Sequence, residues 1–355
     1  MNEPVVDVVV AVHTPERRIE RAVLSVVLTE APVRVTVVCH GTPTDSIRAR
    51  LGALVDDPRV RLLPFTDGVP SPAGPFNAGL DAATAPWVSV LGSDDVLEVG
   101  AIDSWLALAA RTGAEAVLPR LRHAAGTVVP TPPARPGRTR GLDLVRDRLA
   151  YRTAPLGLLS RTALDRLGLR MTPGLPSGED LAPSTLLWAG ARGIAFDRRG
   201  PAYVIGADAV ERVTSTVRPV ADDLAPVLDL VARPALRDAD ASVRLAVAAK
   251  LVRIHVLAAV HNRRATGLDD ADRAALAASA DAVVALAPPV LGVLSRAERD
   301  LLDAIAAGAT AERLVRLSDR RRRHGTPATL VPRDVRRALA REAPLRLMAA
   351  SVLVR

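Results

Sequence analysis

Four predominantly apolar runs, Val5 to Val12, Val33 to Cys39, Val60 to Phe65 and Trp87 to Leu91, are separated by stretches with helical spacing. A strand that is apolar at nearly every position is buried on both faces, and such strands belong to mostly parallel sheets covered by helices on either side. The intervening segments supply those helices. Ile19, Ala22, Val23, Val26 and Val27 form one apolar face, after a start predicted at Thr14-Pro15-Glu16, where a hydroxyl, a proline and an acid suit a first turn. Ile47 to Val55, Ala73 to Ala83 and Val99 to Arg111 read as further helices, and Glu115 to Leu118 as a further strand. Residues 124 to 141 carry Gly126, Pro130, Pro132, Pro133, Pro136 and Gly137 and read as a surface loop, either a plain connector or a flexible loop over an acceptor.

Beyond Pro219 only helical spacing remains. Leu224 to Leu230, Ser242 to Val260, Asp269 to Leu286, Ser295 to Ala306, Ala311 to Arg323 and Arg333 to Val352 each repeat apolar residues every three or four positions. A chain of 355 residues exceeds the usual size of one core. The expected organisation is therefore an α/β domain over 1–218 followed by an all-α domain over 219–355. From Arg313 onward twelve arginines face only Asp319, Asp334 and Glu342. The Arg320 to Arg323 cluster and the helix carrying Arg333, Arg336, Arg337 and Arg341 read either as a solvated helix face or as a surface for a polyanion or anionic lipid.

Composition narrows the function. Cys39 is the sole cysteine, so a disulfide framework and a thiolate zinc site are excluded, and a reducing compartment fits. No basic region precedes Val5 to Val12, a run too short for a signal or membrane helix, so the expected location is cytoplasmic, at most peripheral at the inner face of a membrane. The net charge of +8 favours anionic partners such as nucleotide sugars, phosphate polymers or an acidic membrane surface. Lys250 is the only lysine, which assigns the arginine bias to codon composition rather than to nucleic-acid binding, and scarce aromatics leave few platforms for base stacking. Neither a Walker loop nor a dinucleotide-binding glycine pattern occurs, which argues against kinases, ATPases and NAD enzymes.

Two acidic pairs stand out. Trp87 to Leu91 runs through Gly92-Ser93 into Asp94-Asp95, at the carboxyl edge of the sheet, where open α/β folds place ligands. Adjacent carboxylates there read either as a solvated turn or as a metal or phosphate site, since a compensating cation keeps both ionised. Gly178-Glu179-Asp180 precedes the apolar Leu181 and reads either as a helix start with favourable acids or as a catalytic carboxylate pair.

The order of these pieces resembles the family 2 glycosyltransferases of GT-A fold, across roughly residues 5 to 216. Val8-Val9-Val10-Ala11-Val12-His13-Thr14 with Ile19 to Val27 looks like that family's first strand and helix. Val37-Val38-Cys39-His40-Gly41 falls where the family's second strand ends in an acidic motif. Phe76-Asn77-Ala78-Gly79-Leu80 looks like its Arg-Asn-x-Gly helix, Gly92-Ser93-Asp94-Asp95 like its metal signature, and Ser177-Gly178-Glu179-Asp180-Leu181 like its Glu-Asp segment. Tyr203 to Thr216 falls where relatives have a tyrosine strand and an arginine-bearing loop. The helical tail is similar in architecture to that of wall-teichoic-acid glycosyltransferases.

The resemblance implies a nucleotide-diphospho-sugar transferase-like sheet flanked by helices, followed by an all-α domain. It implies transfer of a sugar, with a UDP-sugar as the expected donor, to an acceptor hydroxyl with inversion. Asp95 would hold a divalent cation, Mg²⁺ or Mn²⁺, with Asp94 on the ribose or on a metal-bound water. Asp180 would be the general base and Glu179 would orient the acceptor or modulate it. Ala11, Val12, His13, Thr14, His40, Asp67, Asn77 and Ser93 would line the nucleotide-sugar pocket, and Arg212 would meet the diphosphate. The expected acceptor is a glycan, a polyol-phosphate polymer or a lipid-linked sugar of cell-wall or polysaccharide biosynthesis, and the helical domain is a candidate for self-association. Gly92 stands where many relatives carry a further aspartate, His40 where they carry an acid, and Phe76 where they carry an arginine. Those departures motivate the alternative of a catalytically degenerate glycan- or nucleotide-binding module.

Overall fold

The computed structural model describes residues 3–129, 135–206 and 218–354. Ten strands follow in chain order: β1 (Val6–Val12), β2 (Val33–His40), β3 (Val60–Phe65), β4 (Trp87–Gly92), β5 (Val96–Leu97), β6 (Ala116–Pro119), β7 (Leu121–His123), β8 (Leu158–Ser160), β9 (Ile194–Asp197) and β10 (Tyr203–Ile205). Seven of them form one sheet in the order β3-β2-β1-β4-β8-β6-β9, and β5-β10-β7 form a small second sheet. β1 runs parallel to β2 and β4, β2 to β3 and β6 to β9, while β8 is antiparallel to both of its neighbours. The sheet is thus mostly parallel, as the continuous apolar runs require.

Burial on both faces is visible along β1. Val8, Val10 and Val12 pack with Val35, Val37, Ile19 and Val23 on one side, and Val9 packs with Val38, Leu80 and Val90 on the other. Asp7 interrupts this strand, fully buried, and its carboxylate is satisfied by Arg34 at 2.6 and 2.7 Å and by the Thr84 and Ala85 amides at 2.7 and 2.8 Å. Burial alone would raise its pKa, but the Arg34 and backbone hydrogen bonds outweigh burial and hold it below the ordinary value. Such a group stabilises the fold above its unfolded pKa, near about 4, and loses that contribution as pH falls through the lower folded value. Asp7→Ala, which strands two amide donors and the Arg34 guanidinium, is expected to cost about 3–5 kcal/mol in urea unfolding at neutral pH.

Six helices accompany the sheet: α1 (Ile19–Val27), α2 (Thr44–Leu51), α3 (Ala73–Asp81), α4 (Ala101–Thr112), α5 (Arg161–Arg166) and α6 (Leu181–Gly190). The helix start expected at Thr14-Pro15-Glu16 is not one. Thr14 closes a turn instead, accepting from the Glu16 amide at 3.4 Å, and α1 begins at Ile19. The extra turn lets the Arg17 guanidinium reach back to the Asp94 carboxylate at 3.4 Å. The helix expected over Ile47 to Val55 is divided, because Gly52 takes a positive φ of 56° at the end of α2 and a 3₁₀ turn follows to Asp56.

The region after Pro219 is helical, as expected: α7 (Val220–Ala232), α8 (Pro234–Arg237), α9 (Ala241–Leu251), α10 (Leu257–Asn262), α11 (Asp270–Leu286), α12 (Arg296–Ala306), α13 (Ala311–Arg321), α14 (Pro327–Leu330) and α15 (Pro344–Val354). A π-turn over Val252–Val256 joins α9 to α10. The single helix expected over Arg333 to Val352 is interrupted, with a 3₁₀ turn at Val335–Arg337 and a fresh start at Pro344, whose missing N–H and fixed φ suit a first helical position and not an interior one. Part of the basic charge is met within the region, since Arg333 pairs with Asp300 and Asp303 at 2.9 and 2.7 Å. Leu224, Val227, Val247, Leu276 and Leu301 belong to the same apolar cluster as Leu181, Leu187 and Trp188 of α6 and Val9 of β1. The core therefore continues from one face of the sheet through α6 into the helical region. Among the described residues no helix is long and apolar enough to cross a membrane.

Candidate active site

Because β1, β2 and β4 are parallel, their carboxyl ends open on one edge, and the segments that follow them meet there. Ala11 and Val12 end β1, with Val12 buried and Ala11 partly so; His13 is exposed and Thr14 partly buried on the turn beyond. Ser93 is buried directly after β4. Asp94 faces Arg17, and Asp95 is held by the Tyr203 hydroxyl at 2.5 Å and the Gly206 amide at 2.8 Å. The same Tyr203 hydroxyl accepts from the Gly92 amide at 3.1 Å, so one phenol fixes both ends of the Gly92 to Asp95 turn. Tyr203 is fully buried, and burial first, then the Asp95 charge, pushes its pKa well above the ordinary phenol value, so it remains a donor. Tyr203 was not singled out for this task by sequence; a tyrosine amid the apolar strand Ala202 to Ile205 was the available signal.

The departure at Gly92 has a steric basis. A Cβ there would lie 2.4 Å from Asp95 Oδ2, so any side chain at this position requires the Asp95 carboxylate to shift. Among the described residues no group of three or more His, Cys, Asp or Glu side chains is arranged for a metal ion. Asp94 and Asp95 offer hard oxygen donors and no more than a pair. That set fits Mg²⁺ or Mn²⁺ held by one or two carboxylates, with phosphate oxygens and water completing the shell.

His40 and Asp67 come together although they end different strands. His40 Nε2 lies 2.8 Å from Asp67 Oδ1, and the imidazole tilts against Phe65 with centroids 5.6 Å apart. An acid therefore stands beside the end of β2 after all, supplied by the loop following β3. The Val69 amide first, and then His40, hold the Asp67 carboxyl below its ordinary pKa. Asn77 is engaged elsewhere: its amide donates to the Met171 carbonyl at 2.9 Å and accepts from the Met171 amide at 2.8 Å, which clamps α3 to the segment before Glu179. Its expected contact with base or ribose finds both polar atoms already paired. Arg212 lies outside the described residues.

The second acidic pair borders a cavity of about 750 Å³, walled by Ser177 to Leu181 on one side and by Asp223, Pro226, Ile254, His255 and Arg263 of the helical region on the other. Gly178 has a φ of +75°, and a Cβ on it would approach Pro226 of α7 to 2.9 Å, so only glycine lets the chain turn here against α7. Asp180 occupies the position before α6 but its side chain makes no cap hydrogen bond, and its backbone is helical rather than extended. A capping acid would do the opposite on both counts, so the carboxylate is left to face the cavity. Burial, and secondarily the neighbouring Glu179 charge, pushes its pKa up to about 7, while Lys250 pulls the other way. Burial also raises Glu179. A base with a pKa near the working pH combines ionisation with proton affinity.

Lys250, which sequence reasoning noted only as the lone lysine, is 1% exposed at the end of α9. Its Nζ lies 2.8 Å from His255 Nε2. Desolvation brings its pKa down to about 7 against the opposing pull of Asp180, and burial together with the Lys250 charge drives His255 to about 3.

The fold is GT-A-like, a mostly parallel sheet flanked by helices and continued by a helical region. Residues 7–168 match the family described as glycosyl transferase family 2. The whole architecture is similar to that of S. aureus TarS residues 1–349, solved in complex with UDP-GlcNAc, with a TM-score of 0.74 at 17% identity over 89% of this chain and 91% of that one. The complex of the same fragment with UDP aligns at a TM-score of 0.71, over 90% of this chain and 92% of that one. In sequence, the chain is 33% identical over 127 residues to the succinoglycan biosynthesis protein ExoO of Rhizobium meliloti (strain 1021). That alignment covers 34% of this chain and 36% of ExoO, so the chain matches about a third of the relative's length.

Proposed function

We propose that this chain transfers a sugar from a nucleotide diphosphate, with UDP as the expected nucleotide, to an acceptor hydroxyl with inversion at the anomeric carbon. The observation that carries this reading is Asp180: a carboxylate shifted toward neutral pH, free of capping duty, on the wall of a cavity large enough for a sugar. Asp180 takes the hydroxyl proton as the acceptor oxygen bonds to the anomeric carbon, and the bond from that carbon to the diphosphate oxygen breaks on the opposite face. The nucleoside diphosphate leaves with that electron pair. A divalent cation, Mg²⁺ or Mn²⁺, held by Asp95 with Asp94 nearby, would supply charge compensation for the diphosphate. Asp95, pinned by Tyr203 and Gly206, presents a carboxylate of fixed direction, and Ala11 to Thr14, His40 with Asp67, and Ser93 form the nucleotide side. The helical region walls the acceptor side through Asp223, Pro226 and His255.

The TarS complexes support a UDP-sugar as the first donor to test, and the name of ExoO supports a polysaccharide acceptor. Thermal-shift titration with UDP-, GDP- and dTDP-sugars, with and without Mn²⁺, followed by transfer of radiolabelled sugar, tests the reading. A nucleotide-dependent rise in Tm of several degrees with one nucleotide class is expected. No shift with any nucleotide in a folded sample would overturn it. The two-carboxylate donor set keeps a second reading open, a binding module without turnover, which tight donor binding with neither transfer nor hydrolysis would establish.

A further inference from the structure

The basic tail divides into arginines that the fold engages and arginines that it leaves outward. Arg320 lies 3.6 Å from Asp300, Arg333 meets Asp300 and Asp303, and Arg337 lies 3.6 Å from Asp334. Arg321 donates to the Arg253 carbonyl at 2.8 Å. Arg336, Arg341 and Arg346, by contrast, meet no carboxylate within ion-pair distance among the described residues. Arg336 and Arg346 are exposed, and Arg346 makes one hydrogen bond, to the Leu339 carbonyl at 3.3 Å. The acid of residues 335–354 is Glu342, and it is buried, so this stretch presents positive charge with no exposed negative charge beside it.

α15 follows directly and turns apolar residues outward, where a helix lying on a protein surface ordinarily carries polar ones. Met348, Ala349, Val352 and Leu353 are exposed, Val352 and Leu353 to 66% and 69%. At about 100° per residue these four positions share an arc of roughly 140° around the helix, with Arg346 at its border. Leu347, Ala350 and Ser351 fall on the opposite side and are partly covered. Leu339, 71% exposed, lies beside the first turns of the helix, because its carbonyl is the one that Arg346 engages. An apolar patch rimmed by charge marks an interaction surface rather than ordinary scattered exposure.

We propose that the outer face of α15, with Leu339 and the arginines beside it, docks on a bilayer containing anionic phospholipid. Met348, Val352 and Leu353 enter the boundary between headgroups and acyl chains, while Arg336, Arg341 and Arg346 meet lipid phosphates, whose oxygens match a guanidinium fork. Charge selects this occupant over a second copy of the chain. A two-fold contact brings one patch against itself, and here it would set arginine against arginine with no exposed acid of residues 335–354 between them. Anionic headgroups complement that charge. The helix has 11 residues, too few to span a bilayer, so it lies in the interface with its covered side still on the protein. The proposal does not depend on Asp180 or on the transfer chemistry.

Co-sedimentation of the full chain with phosphatidylcholine vesicles, with and without phosphatidylglycerol, tests the docking. Binding to the anionic vesicles is expected to be at least about tenfold tighter than to the neutral ones, and to weaken as salt rises from about 0.1 to about 0.5 M. Val352→Asp combined with Leu353→Asp is expected to lower vesicle binding more than about tenfold and to leave the Tm and the mass in solution unchanged. Arg336→Gln combined with Arg346→Gln, at exposed positions that carry no part of the core, is expected to remove about tenfold or more of the preference for phosphatidylglycerol. Leu353→Trp reports insertion directly: lipid brominated in the acyl chains should quench its emission and spare that of the wild type, whose Trp105 and Trp188 are buried and whose Trp87 lies in β4. Equal binding with and without phosphatidylglycerol, no binding to either, or binding that both pairs of substitutions leave intact would overturn the proposal. A multimer in solution that Val352→Asp with Leu353→Asp converts to a monomer would assign the face to a second copy and overturn it equally.

Discussion

Asp180→Asn is expected to lower kcat/KM for sugar transfer about 10³-fold at pH 8, with the UDP-sugar Kd changed less than about threefold. The amide keeps the shape of the side chain and cannot take a proton, so the loss isolates the base step from binding. The pH dependence has a determined sign. Burial first, and then Glu179, lifts the Asp180 pKa to about 7, and a base works only when ionised. On the transfer reading, the activity of the wild-type chain is therefore expected to rise with pH up to about 7 and level beyond it, falling about tenfold for each unit below. The acidic limb should vanish in Asp180→Asn along with most of the rate. Full activity in this variant would remove Asp180 from the chemistry. A residual rate that keeps the limb would assign the titration to Glu179, whose carboxyl burial also raises.

The parts of this molecule that were legible in sequence are those set by continuous local pattern. β1 to β4 coincide with mostly apolar runs because burial on both faces admits few polar residues, and the buried acid among them, Asp7, is matched by Arg34 on the adjacent strand. Asp94-Asp95 and Glu179-Asp180 were visible because strand ends and helix starts carry their acids in a recognisable order. What escaped were pairings made by the fold alone. His40 and Asp67, singled out separately, meet only because β2 and β3 are adjacent. Tyr203 finds Asp95 because β10 pairs with β5. Asn77 fits a motif in sequence, yet its amide is matched to Met171, a partner that no local pattern announces. Lys250 was noted only as the lone lysine, and its meeting with His255 depends on one π-turn that apolar spacing does not encode.

The transfer reading places two demands on the Asp95 carboxylate, and its replacement should show them separately. Asp95→Ala removes the anchor of the Tyr203 hydroxyl and of the Gly206 amide and, in the transfer reading, the cation's protein ligand. Losing an electrostatic stabiliser of the leaving diphosphate is expected to lower kcat about 10²–10³-fold. Tyr203→Phe leaves the carboxylate in place and deletes only the phenol that orients it and satisfies the Gly92 amide. Its expected cost is smaller, about 1–3 kcal/mol, or roughly 5- to 150-fold if felt wholly in the transition state. Chelation decides what the larger loss means. If EDTA lowers the activity of the wild-type chain to that of Asp95→Ala and Mn²⁺ restores only the former, Asp95 holds the cation. If EDTA leaves the wild type unaffected while Asp95→Ala still loses activity, the carboxylate acts as a clasp between the Gly92 turn and Gly206. The two-carboxylate donor set would then have to be removed from the mechanism, and charge compensation for the diphosphate would fall to cationic side chains such as Arg17, 3.4 Å from Asp94.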